Sequence, residues 1–139
     1  DFVKGAFTIE TAQDPRDSIG LLREIHTAER LPIEQAIPAL ESIVAEHPQL
    51  LSPQLTLVYL ESARGNVELA FERCIEVLRK DPEHSLALNN AVILSYKLKK
   101  YDMAIAFANS MRELNPNDVR PYRYLTAIYA DQENTEGEE

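Results

Sequence analysis

A chain of 139 residues, 45% hydrophobic and 27% charged, has the size and balance of one domain with a continuous core. The formal net charge is −9, and the stretch from Asp131 to Glu139 supplies five carboxylates and no base. The remainder, 18 acidic against 14 basic residues or −4, would repel a phosphate backbone, which argues against nucleic-acid binding. No apolar run approaches the ~20 residues needed to span a bilayer, so membrane insertion is not expected.

Residues 1–16 read as an extended segment or linker. Phe7-Thr8-Ile9-Glu10 alternates in strand fashion. The plain expectation is a linker packed on the first helices; the sharper one is a segment filling a groove, its own or a neighbour's. The chain opens on Asp1 rather than Met, as an excised piece of a longer protein would. The compartment is therefore left unassigned, with a lean towards the cytoplasm.

From residue 17 onward one period governs the chain. Pro48, Pro82 and Pro116 stand 34 residues apart, as do Ala36, Ala70 and Ala104. Three residues before each alanine stands Ile33, Val67 or Tyr101, followed by an acid: Glu34, Glu68 or Asp102. After each alanine comes Ile37, Phe71 or Ile105. A fixed period of this length marks a helix-turn-helix solenoid. The units run 17–50, 51–84 and 85–118, with a partial fourth from Val119 to about Ala130. The expected fold class is therefore all-α, a solenoid of stacked antiparallel helix pairs.

In the first unit Pro38 lies beyond the first turn of a helix beginning near Ile33. A proline there costs about 3 kcal/mol, so a kink or a late helix start is expected. In the second unit Leu55, Leu57, Val58, Leu60 and Ala63 mark one helix, broken at Gly65-Asn66. Val67, Ala70, Phe71, Cys74, Ile75 and Leu78 then mark an amphipathic second helix. Ser52-Pro53 reads as an N-cap with proline at the first helical position, and Asp81-Pro82 as the exit. The third unit turns at Lys99-Lys100 and leaves through Asn115-Pro116-Asn117-Asp118. Each acid at a second-helix start faces the positive end of the helix dipole. The alanine column predicts a close helix crossing at Ala70 and Ala104, where leucine would cost ~1–3 kcal/mol by overpacking. Asp131 to Glu139 reads as an acidic, disordered tail.

The search for chemistry finds no catalytic or cofactor site. Cys74 lies on an apolar helix face and reads as core. His26, His47 and His84 are scattered with no ligand-like spacing, so no metal is expected. Only Gly5, Gly20, Gly65 and Gly137 are available, and they make no phosphate loop. No serine stands in a nucleophile elbow. The expectation is a protein that is not an enzyme and takes no cofactor.

The layout resembles the tetratricopeptide repeat (TPR) family. The resemblance spans residues 17–130 and is closest from Ala87 to Asp118, where Ala87, Asn90, Tyr96-Lys97, Tyr101-Asp102, Ala104-Ile105 and Leu114-Asn115-Pro116-Asn117 match. Tyr122, Leu125 and Tyr129 continue it. Gln54 and Leu88 stand where the family has tryptophan, Val58 and Val92 at its small position, and the first unit is degenerate at Gly20 and Glu24.

That resemblance implies a right-handed superhelix, with first helices lining a concave groove that binds a protein or peptide. Its groove positions fall on Ser18, Leu21, Ile25 and Ala28 in the first unit. They continue on Leu55, Tyr59, Ser62, Leu86, Asn89, Ile93, Tyr96, Arg120 and Arg123. The family's carboxylate clamp for chaperone tails matches Asn90 and Arg120 but not Leu55, Tyr59 or Tyr124, so such tails are not the expected ligand. An apolar, aromatic groove ending in two arginines suits an amphipathic helix or a peptide bearing a carboxylate. The expected function is a non-catalytic scaffold or adaptor. The alternatives are a scaffold that self-assembles into a homo-oligomer through its unpaired C-terminal helix, or a regulatory domain of a larger protein.

Overall fold

A computed structural model describes residues 15–138 of the chain. The alternating segment at 7–10, and with it most of the expected linker, lies outside the described residues. Among these residues there are seven helices and no strand: α1 Pro15–Glu29, α2 Ile33–Glu46, α3 Ser52–Ala63, α4 Val67–Lys80, α5 Ser85–Lys97, α6 Tyr101–Leu114 and α7 Arg120–Glu138. The protein is all-α, and within each of its two units successive helices pack on one another as in an α-solenoid. Two compact units divide at Gly65–Asn66, inside the 51–84 repeat. In the first, α1 packs on α2 and α2 on α3; in the second, the succession runs α4, α5, α6, α7.

The period seen in the sequence recurs in the backbone. Helices α2, α4 and α6 begin at Ile33, Val67 and Tyr101, with Glu34, Glu68 and Asp102 in their first turns. Amides of Ala36, Ala70 and Ala104 donate to the carbonyls of Pro32, Asn66 and Lys100 at 2.8, 2.9 and 3.0 Å. The exits match as well, since His47, Asp81 and Asn115 donate to Ile43, Val77 and Met111. One turn breaks chemical symmetry while keeping its shape. Gly65 has φ 89° and Lys99, at the same repeat position, has φ 61°. Glycine takes that left-handed geometry freely; lysine adopts it against a Cβ clash.

The core follows the apolar columns. Ala36 is 1% exposed and Ala70 and Ala104 are fully buried, as close helix approach requires. In the first unit Leu21, Ile25 and Ala28 of α1 meet Ile37, Leu40 and Ile43 of α2, together with Leu50 and Leu57. Each fully buried leucine contributes roughly 1.5–3 kcal/mol. In the second unit the edge of one ring meets the face of the other between Phe71 of α4 and Phe107 of α6, centroids 6.4 Å apart. Alternate helices of that unit therefore lie side by side in two layers, α4 with α6 and α5 with α7.

Three local expectations are corrected. Ser52 is not the cap of α3: Leu51 holds that place and Ser52 and Pro53 form the first turn, where proline's missing N–H has no intrahelical partner to lose. Helix α2 does not start late; it begins at Ile33 and runs through Pro38. Burial of Ala36, Ile37, Leu40 and Ile43 on both sides of the proline offsets the lost backbone bond. The acidic end is not irregular from Asp131. Helix α7 continues from Ala130 to Glu138, and Asp131 is tied to α5 through Tyr96.

Candidate functional site

Helix α5 owes its entry to His84. The Nδ1 atom of His84 accepts the amide of Ala87 at 3.3 Å, satisfying one of the N–H groups that a helix start leaves open. The buried face of α5 then falls on Ala87, Leu88, Ala91, Val92, Leu94 and Ser95. Serine is tolerated there because its Oγ bonds back to the carbonyls of Ala91 and Val92. Leu86, Asn89, Ile93 and Tyr96 are left on one further face at helical spacing. Leu86 is 51% exposed, whereas Asn89, Ile93 and Tyr96 are half-buried.

Helix α7 borders that face. Asp118 starts it, accepting the amide of Arg120 at 3.0 Å. Tyr124 and Asp131, two turns apart, then face α5. Two hydrogen bonds bridge the helices. Tyr124 donates its hydroxyl to Asn89 Oδ1 at 2.7 Å, and Tyr96 donates its own to Asp131. The bond to the carboxylate, joined by the cost of burial and the nearby negative charge, raises the Tyr96 phenol above its ordinary 10.0. Tyr96 also sits 6.1 Å, ring to ring, from Tyr101 of α6.

The polar groups divide into committed and available ones. Arg120 is committed: its guanidinium grips Asp118, with the shortest contact at 2.7 Å. The Arg120 hydrogen bonds hold the Asp118 carboxyl below its ordinary 3.8. Arg123 is exposed and has no partner among the described residues. Asn89 gives its carbonyl oxygen to Tyr124, so no described residue takes its amide hydrogens. Asn90 is half-buried on a neighbouring face of α5.

The first unit carries the other expected residues on α3. Tyr59 is 70% exposed, and Leu55 and Ser62 are half-buried on the same side of the helix. Thr56 donates to Glu29 at 2.6 Å, so α1 and α3 are linked across that unit. Leu21, Ile25 and Ala28, given to a groove by the resemblance, are instead core at 6%, 3% and 4% exposure. The reason is that the long aliphatic face of α2 requires cover, and α1 supplies it.

Sequence reading did not find the Tyr124–Asn89 and Tyr96–Asp131 bridges. Both join residues 35 apart, one more than the repeat period, so a search for polar partners just past equivalent positions would have met them. Cys74 is fully buried and donates to the carbonyl of Ala87 at 3.1 Å; burial pushes its thiol up to about 12. Among the described residues no group of three or more His, Cys, Asp or Glu could hold a metal ion, and no helix is long and apolar enough to cross a membrane. No protein-family model matches the chain.

Proposed function

We propose that this chain is a non-catalytic protein-interaction module of the tetratricopeptide type, a scaffold or adaptor whose α5–α7 face holds an extended peptide or the apolar side of a helix. The observation that carries the reading is the pairing of an exposed Leu86 with Asn89, whose orientation Tyr124 fixes. An apolar anchor beside two uncommitted amide hydrogens suits a peptide that offers one aliphatic side chain and a backbone carbonyl. Arg123, exposed and without a partner among the described residues, adds a place for a ligand carboxylate at the rim. Cys74 offers no nucleophile, because burial keeps its thiol protonated.

Tyr59 extends the reading to the first unit as a second, separate contact, since aromatic side chains are enriched among interface anchors. The experiment is a random peptide display panned on the whole chain, followed by calorimetry of the selected peptides. Leu86→Ala with Asn89→Ala should weaken them by roughly tenfold or more while the helical signal stays intact. Selected peptides that bind the double variant as well as the parent chain would overturn the α5–α7 assignment.

A further inference from the structure

Helix α7 has a second face, turned away from α5. Pro121, Leu125 and Ile128 are buried. On the side away from them lie Val119, just before the helix, and Tyr122, Thr126, Tyr129 and Glu133. These positions follow the three-and-four alternation of a helix-pairing seam. The seam is uncovered: Val119 is 57%, Tyr122 45% and Tyr129 50% exposed. Exposed aromatics repeating along one stripe of a helix make a surface suited to a partner.

Charge identifies the neighbour. From Arg120 to Ala130 the helix carries Arg120 and Arg123 and no acid, whereas from Asp131 onward it carries only acids. A parallel partner of the same sequence would set like charges together. An antiparallel copy sets each half against its opposite. With Thr126 at the two-fold axis, Tyr129 of one copy lies opposite Arg123 of the other, close enough for a ring–guanidinium contact. Glu133 then follows one turn further, about 6 Å along the axis, within reach of the same arginine.

We propose that α7 is a self-recognition helix, which pairs antiparallel with α7 of a second copy of this chain through Tyr122, Thr126 and Tyr129. Arg123 and Glu133 fix the direction of pairing. The interface is isologous, so it closes at two copies and does not propagate. Its tyrosines lie away from α5 and so apart from the proposed peptide-binding face; Arg123, at the rim between the two, is the one residue both use.

Sedimentation of the whole chain from low micromolar to millimolar concentration tests this. The expected result is a monomer–dimer equilibrium that weakens with added salt. Tyr122→Ser with Tyr129→Ser should raise the dissociation constant roughly tenfold or more, as loss of interface aromatics does. Arg123→Glu, an exposed change that spares the core, should also weaken the dimer, and adding Glu133→Arg should restore it. A chain that stays monomeric throughout overturns the proposal. So does a dimer indifferent to both tyrosines, or a charge swap that fails to restore pairing.

Discussion

The hydroxyl of Tyr96 on α5 donates to the carboxylate of Asp131 on α7, joining two helices that are not consecutive in the chain. The bond also lies where the acidic stretch begins. The last two turns of α7 carry four carboxylates and no base, which opposes the helix dipole, so this end of the helix needs a tertiary anchor.

Tyr96→Phe removes that bond and keeps the ring. The expected cost is about 0.5–1 kcal/mol, low in the range because solvent reaches the pair. Amide exchange should quicken from Asp131 onward while α5 stays protected. The sign of the alkaline response follows from the raised phenol. Its stabilisation is complete below the ordinary 10.0 and is lost as pH rises through the higher folded value. Phenolate absorbance should show one late-titrating tyrosine that disappears in Asp131→Asn.

Gly65 and Lys99 make a paired test of the two left-handed turns. Lys99→Gly should stabilise by about 0.5–1 kcal/mol, because the residue no longer holds a Cβ at φ 61°. Gly65→Ala should destabilise by about 1 kcal/mol at φ 89°, although nothing stands within 4 Å of the added methyl. Denaturant midpoints for the two variants should move in opposite directions.

Ala70→Leu and Ala104→Leu place a larger side chain where no exposed surface remains. Each should cost ~1–3 kcal/mol through displaced helices. Thermal melts read this directly. An unchanged melting temperature in both would mean that the helices at the alanine column are not closely packed.

Acid should release the start of α7. The Asp118 carboxyl is lowered by its hydrogen bonds from Arg120, so the contact is complete above the ordinary 3.8 and fades as pH falls through the lower folded value. The Arg120 side-chain amide resonances should shift across that window. In Asp118→Asn the acid transition at these resonances should vanish while the cap itself is largely retained.

Much of the fold was legible because the repeat prints its geometry in small residues and turns. Ala36, Ala70 and Ala104 are buried, and the three second helices begin at the positions the period marks. The face was legible only as a set of positions. Leu86, Asn89, Ile93 and Tyr96 could be placed together by helical spacing. Their states could not, since the capture of Arg120 by Asp118 and of Asn89 by Tyr124 depends on side-chain direction.

Sequence alone determined the helical class, the 34-residue period and the buried columns, because local periodicity and steric size act within a single helix pair. Tertiary structure decided that α1 spends Leu21, Ile25 and Ala28 on the core, that α7 runs through the acidic stretch to Glu138, and that Arg123 rather than Arg120 stands open. Those outcomes turn on which groups meet across helices. Such meetings are set by burial and hydrogen bonding between segments that the chain order does not place side by side.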